Sequence, residues 1–98
     1  MSETTLRTSN LVSVTTVASS ASSVSLIAAN SHRRGVSVQN TSTAILYLLV
    51  GGGTATATTA HSVQIPSDGY WEAPYGYTGA LSGIWGSANG SANITEYL

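Results

Sequence analysis

The sequence contains no cysteine, lysine or phenylalanine, and it has only two prolines. Without cysteine, the chain can form neither a disulfide nor a thiolate metal site. Three basic and four acidic residues give it a net charge of −1. A protein that binds nucleic acid needs several cations to contact the phosphates, and the adjacent pair Arg33 and Arg34 is too small for this. We therefore expect no nucleic acid partner.

Long apolar segments are also missing. The first ten residues, MSETTLRTSN, are polar and lack the apolar core of a secretory signal. No segment approaches the roughly 20 apolar residues that an α-helix needs to cross a bilayer. From these absences we expect neither export through a signal peptide nor a membrane partner.

Small residues take the place of the missing charged ones. The 98 residues suffice for one domain. Ser, Thr, Gly, Ala and Asn are abundant where an average surface carries Lys and Glu, and strong helix formers are scarce. This composition favours an all-β fold. A surface with so little charge is weakly protected against association, which suits a chain that is packed in an assembly.

The segment of residues 33–50 has the clearest strand pattern. Val36 and Val38 alternate with small or polar residues, which indicates a strand with one buried face. Residues 40–43 (NTST) have turn chemistry. Residues 44–50 (AILYLLV) are apolar at every position and end at a glycine triplet, which favours a strand covered on both faces over a buried helix. We predict that the two strands form a hairpin.

Further strands and turns are predicted by the same reasoning. The strands fall at residues 11–17, 24–29, 63–65, 70–73, 80–85 and 92–95. Residues 66–69 (PSDG) indicate a turn in which Gly69 takes a positive φ, with residues 70–73 as the hairpin partner of residues 63–65. Asn89 followed by Gly90 is a strong hairpin signal, and Gly83 indicates a bulge or a close approach of the backbone.

The fold class that these patterns predict is all-β. We expect a single antiparallel β-sandwich, jelly-roll-like, with about seven or eight short strands and an N-terminal arm. Residues 1–22 would form the arm and the first strand and make an assembly contact, and residues 23–98 would form the sandwich domain.

Few side chains are suited to chemistry. The two histidines and the acidic residues outside the arm are His32, His61, Asp68, Glu72 and Glu96, and no motif relates them. Residues 51–54 (GGGT) lack the lysine and the helix of a phosphate-binding loop. Without lysine the chain also lacks a Ser-x-x-Lys motif. We therefore expect no enzyme activity, no cofactor and no metal.

The aromatic residues of the last third are the informative group. Three interpretations stay open for them: the core of a domain that has no phenylalanine, a protein interface in which Tyr and Trp are anchors, and a sugar-binding face. Alternation also permits a split, with the tryptophans packed inside and the loop tyrosines outside. The group consists of Tyr70, Trp71, Tyr75, Tyr77 and Trp85.

Arg33 and Arg34 point to opposite faces if both lie on a strand. One of them could pair with Glu72 or Glu96 of the same chain, or with a carboxylate of a neighbouring subunit. Solvation of both at the entry to the strand is an equally good interpretation.

Several segments carry a resemblance to a known group of proteins. They are residues 28–30 (AAN), 33–48 (RRGVSVQNTSTAILYL), 65–85 (IPSDGYWEAPYGYTGALSGIW) and 91–97 (SANITEY). Over residues 23–97 the chain resembles the small β-sandwich virion proteins of tailed bacteriophages, and most of all their capsid decoration (cement) proteins. The resembling features are at the level of the fold and assign no catalytic residue.

The resemblance implies a structural virion protein on the capsid surface, made in the host cytoplasm. It further implies a homo-oligomer, in particular a trimer, that binds the major capsid protein and stabilises the shell. The alternative is a tail, baseplate or head-fibre module that contacts glycans through its aromatic loop. The residues expected at interfaces are Leu11, Val12, Val14, Arg33, Arg34, Tyr70, Tyr75 and Tyr77.

Overall fold

The computed structural model describes residues 11–98, which form eight strands and no helix. The strands are β1 (Val12–Ala18), β2 (Val24–Ile27), β3 (Gly35–Asn40), β4 (Leu46–Val50), β5 (Val63–Ile65), β6 (Tyr70–Glu72), β7 (Leu81–Trp85) and β8 (Ser91–Tyr97).

The eight strands form two four-stranded antiparallel sheets. The β1 sheet has the order β1-β8-β3-β6, and the β2 sheet has the order β2-β7-β4-β5. Only β4 and β5 are consecutive strands of one sheet, because every other connection leads from one sheet to the other. This is the strand order of a jelly roll, in which two Greek keys form two sheets that pack face to face. The predicted all-β sandwich is confirmed.

The three predicted hairpins were wrong, although the turns themselves are present. The turns that follow β3, β5 and β7 each lead into the opposite sheet, so the strands they join are not hydrogen-bonded to each other. A turn sequence shows that the chain reverses, but it does not encode which sheet the next strand joins.

The backbone of these turns also differs from the prediction. Asp68 takes the positive φ, 62°, in place of Gly69, and Gly90 has no positive φ. Glycine is needed at positions 69 and 90 because a side chain would not fit there. A Cβ on Gly69 would lie 2.8 Å from the carbonyl oxygen of Pro66, and a Cβ on Gly90 would lie 2.5 Å from Cα of Ser42.

The core lies between the two sheets. Val36 and Val38 of β3 are buried as predicted, and Leu46 and Leu48 of β4 face them from the other sheet with no exposed surface. Trp85 is 2% exposed and completes this layer. Burial of such side chains is the main stabilising term in a domain of this size.

Within the single chain, β4 is buried on one face and partly covered on the other, whereas the sequence predicted cover on both faces. Leu46 and Leu48 point into the core, whereas Tyr47 and Leu49 are partly exposed on the outer face and Ile45, just before the strand, is exposed. The sequence is apolar on both faces, but the single chain supplies a second layer for only one of them.

A buried amide group joins the turns at one end of the sandwich. The side-chain nitrogen of Asn40 donates to the carbonyls of Ala44, Ile65 and Pro66 at 2.7, 2.9 and 3.2 Å. Its oxygen accepts from the backbone nitrogen and the hydroxyl of Ser42, at 3.1 and 2.8 Å. It also accepts from Nε1 of Trp85 at 3.1 Å. Asn40 is fully buried, so this network replaces all of its contacts with water.

Gly83 of β7 is a position of close approach, one of the two possibilities that the sequence indicated, because leucines of both neighbouring strands of its own sheet pack over it. A Cβ at this position would lie 2.8 Å from Cδ1 of Leu46 and 3.1 Å from Cδ1 of Leu26. The bulge lies in the neighbouring strand, where the register of β2 against β7 shifts between Ser25 and Ile27.

Candidate interaction surface

Arg33 is held inside its own chain. Its side chain has no exposed surface, and its Nε donates to Oε2 of Glu96 at 2.8 Å. The two terminal nitrogens donate to the carbonyls of Gly79 at 2.6 Å and Ala28 at 2.5 Å. The pairing with Glu96 is one of the alternatives considered from the sequence. The planar guanidinium thus ties three segments together, and only 3% of the residue is left for contact with another molecule.

Arg34 is partly exposed, and its Nε donates to the carbonyl of Leu98 at 3.1 Å. Asp68 and Glu72 are exposed, and Glu96 is committed to Arg33. The surface of residues 11–98 therefore carries very little charge.

The aromatic residues split into packed and exposed ones. Trp85 is buried, and Trp71 and Tyr77 are partly buried against the core. The hydroxyl of Tyr77 donates to the carbonyl of Ala80 at 2.7 Å, so this loop tyrosine points inward. Tyr70 and Tyr75 are 60% and 69% exposed. Of the split that alternation permits, the packing of Trp71 and Trp85 and the exposure of the loop tyrosine Tyr75 are confirmed, and the exposure of the loop tyrosine Tyr77 is wrong.

The outer face of the β1 sheet follows from the register of its strands. Val14 of β1 lies beside Thr95 of β8, then Ser37 of β3 and Glu72 of β6. Since alternate residues share a face, the outer face carries these residues together with Val12, Thr16, Gly35, Gln39, Tyr70, Asn93 and Tyr97. Glu72 is the only charged side chain among them.

Large apolar side chains are exposed on this sheet. Val12 is 57% exposed and Val14 is 61% exposed, both on edge strand β1, while Tyr70 lies on the opposite edge strand, β6. Leu11, which precedes β1, is also exposed. Of the residues that the sequence proposed for interfaces, these four and Tyr75 are the ones with substantial exposed apolar surface.

Strand β1 belongs to the sandwich of its own chain. All seven of its residues pair in continuous register with β8, from Val12 opposite Tyr97 to Ala18 opposite Ser91. The predicted arm, residues 1–10, lies outside the described residues.

The outer face of the β2 sheet also carries large apolar side chains, and these are partly covered. Tyr47 and Ile84 are neighbours on it, and both are partly buried. The ring of His61 packs edge-on against that of Tyr47, with ring centroids 5.1 Å apart. Nδ1 of His61 lies 3.0 Å from the carbonyl oxygen of Thr56. This histidine therefore holds the loop that follows β4 against the sheet.

Other features offer no arrangement with evident chemistry. Within residues 11–98, no three His, Cys, Asp or Glu side chains are grouped as metal ligands would be. A cavity of about 450 Å³ lies beside the glycine triplet, lined by Ser23, Ser25, residues 52–54 and Ser82 among others. No charged side chain of the described chain lines it. Among residues 11–98 there is no helix that is long and apolar enough to span a membrane.

The strands and the burial pattern define this protein as an all-β jelly-roll sandwich with a nearly uncharged surface on which several large apolar side chains are exposed. The chain matches no protein-family model, no curated protein and no solved structure.

Proposed function

We propose that this chain is a structural virion protein, a capsid decoration protein that binds the shell of a tailed phage and stabilises it as a homo-oligomer. The observation that carries the proposal is the surface: large apolar side chains are exposed on a domain with almost no surface charge. Such a surface is poorly suited to an isolated protein and well suited to one that is packed among others.

Two further points support the proposal. The sequence resembles phage decoration proteins over residues 23–97, and the jelly roll is a fold of viral capsid proteins. The same fold also serves lectins and cupins, so it is compatible with the proposal without selecting it.

Tyr70 and Tyr75 are the residues we assign to the contact with the major capsid protein. Both are highly exposed, and tyrosine is among the residues that dominate binding energy at protein interfaces. Arg33 and Tyr77 are left out of this surface, because each is occupied by contacts within the chain. The trimeric symmetry of the oligomer follows from the resemblance alone.

The proposal is tested with virions that lack the protein. We expect them to release DNA at a lower temperature, or after a milder osmotic shock, than wild-type virions, and added purified protein should restore their resistance. Tyr70→Ser and Tyr75→Ser should each weaken binding to the shells by about tenfold or more. Gln64→Ala, on the exposed outer face of the other sheet, is the matched control and should bind normally. Equal resistance with and without the protein would refute the proposal.

The two exposed tyrosines also favour a second candidate, a tail or baseplate module that contacts glycans. An aromatic ring that is open to solvent can stack on the face of a sugar ring. Binding to a glycan array that is lost in Tyr75→Ala would support this candidate, and binding of the protein to DNA-filled heads that lack tails would exclude it.

A further inference from the structure

The four edge strands of the sandwich differ in how well they are protected against pairing with another chain. Strands β5 and β6 have only three residues each. Strand β5 is followed by Pro66, and strand β6 contains the charged residue Glu72. Strand β2 has four residues, with a register shift between Ser25 and Ile27. Short length, proline, charge and bulges are the devices by which proteins prevent edge-to-edge pairing.

Strand β1 has none of these devices. It has seven residues, VSVTTVA, without charge or proline, and its register against β8 is unbroken. Six of the seven are exposed and Val17 is partly buried, and the strand is rich in the β-branched residues that pair well across strands. A long, regular and uncharged edge of this kind is suited to pairing with another strand.

The hydrogen bonds at the two ends of β1 show which backbone groups face the open edge. The nitrogen of Leu98 donates to the carbonyl of Leu11 at 2.8 Å, and the nitrogen of Ser19 donates to the carbonyl of Gly90 at 2.9 Å. Hydrogen-bonded pairs alternate along an antiparallel ladder. The odd-numbered residues therefore bond to β8, and the N–H and C=O groups of residues 12, 14, 16 and 18 point away from it.

These four positions are symmetric about Thr15. If a second β1 strand runs antiparallel, residue 12 lies opposite residue 18 and residue 14 opposite residue 16, so that every outward N–H and C=O group can pair. On the outer face this places Val14 beside Thr16 of the second copy, and on the inner face Thr15 beside its own equivalent. Both are pairs that stabilise sheets, and no charges oppose each other.

We infer that β1 pairs with β1 of a second copy of this chain about a two-fold axis at Thr15, joining the two β1 sheets into one eight-stranded sheet. The inference rests on the homo-oligomeric part of the proposed function and names its contact. A two-fold contact is the commonest in homo-oligomers. By itself, the two-fold contact between β1 strands gives a dimer. If the chains also form trimers, the contact joins the trimers in pairs. In both cases the assembly has an even number of chains.

Cysteine cross-linking tests the axis, because the chain has no cysteine of its own. Opposite Thr15 residues would form a non-hydrogen-bonded pair, with Cα atoms about 4.5 Å apart, within the range of about 4.4–6.8 Å for a disulfide. Full-length Thr15→Cys should give a disulfide-linked dimer on mild oxidation. Thr58→Cys, in an exposed loop, should not do so at the same concentration. No cross-link at Thr15, or equal cross-linking of the two variants, would overturn the inference.

A pair of charge variants tests the register. Val14→Lys/Thr16→Lys places like charges opposite each other across the axis, and we expect the dissociation constant to rise at least about tenfold. Val14→Lys/Thr16→Glu carries the same lysine but places opposite charges together, and it should associate as wild type does. If both variants dissociate equally, with folding confirmed by circular dichroism, the register is wrong.

The mass of the wild-type protein in solution separates this inference from the proposed function. An even number of 10.0 kDa chains supports the contact, whereas a monomer or a lone trimer at micromolar concentration overturns it. Neither of those results bears on shell binding, which is measured separately by sedimentation with capsids. If the protein is monomeric and the amides of residues 12, 14, 16 and 18 are still protected from hydrogen exchange, the edge is not open to a second copy and the inference is wrong.

Discussion

Replacement of Asn40 by alanine should be among the most destabilising single changes in this domain. The substitution removes the acceptor of Trp85 Nε1 and of the Ser42 backbone nitrogen, and the donor to the carbonyl of Ile65. These groups are buried, and each buried polar group without a partner costs roughly 1–3 kcal/mol. Allowing for partial relaxation, we expect a loss of about 3–5 kcal/mol, a large part of the roughly 5–15 kcal/mol that stabilises a domain.

The measurement is urea unfolding followed by tryptophan fluorescence, with the midpoint and the slope compared between variants. Asn93→Ala is the matched control, because Asn93 lies on the outer face of the same sheet and accepts one exposed hydrogen bond, from Thr16. It should cost less than about 1 kcal/mol. Equal losses of stability for Asn40→Ala and Asn93→Ala would refute the reasoning.

A double-mutant cycle identifies the hydrogen bond to Trp85 as part of the cause. Trp85→Phe removes the indole N–H, so it also removes the donor that Asn40→Ala leaves without a partner. The two substitutions together should therefore destabilise the protein by about 1 kcal/mol less than the sum of the single effects. Additive effects would mean that the bond contributes little.

Two further predictions concern the ion pair and the glycines. Arg33→Lys should destabilise the domain by about 2–4 kcal/mol, because an ammonium group cannot reach a carboxylate and two carbonyls with the geometry of a guanidinium. Arg34→Lys is its control, and similar urea midpoints for the two variants would contradict this account. Gly90→Ala should cost about 1–3 kcal/mol, because its Cβ would lie 2.5 Å from Cα of Ser42. Gly86→Ala, whose Cβ would lie 4.0 Å from Cβ of Ala44, should melt within a few degrees of wild type. Equal melting temperatures for the two glycine variants would contradict this account of Gly90.

The strands were predictable from the sequence because their signals are local. Val36 and Val38 alternate with other residues within a single strand, and the turn sequences mark where the chain reverses. The pairing of the strands was not predictable from these signals. Whether the chain after Asn40 returns beside β3 or crosses to the other sheet depends on contacts with residues 25 and 45 positions away, Ile65 and Trp85.

The candidate surface shows the same limit of prediction from local sequence, because two nearby tyrosines differ in exposure. Tyr75 and Tyr77 are two positions apart in one loop, yet only Tyr75 is exposed. Gly76 between them has a φ of 89°, a conformation that turns the chain and directs Tyr77 toward the core. The sequence proposed Val12 and Val14 for an interface, but it did not show that they lie on an edge strand, because the place of β1 in the sheet depends on its pairing with β8.

The most direct test of the central claim is an image of the virion to which we propose that this protein belongs. A three-dimensional reconstruction of the head, compared with one from particles lacking the protein, should show additional density on the outer surface of the shell. That density should match a two-sheet sandwich that contacts the major capsid protein. Identical shells in the two reconstructions, or density confined to the tail, would contradict the account.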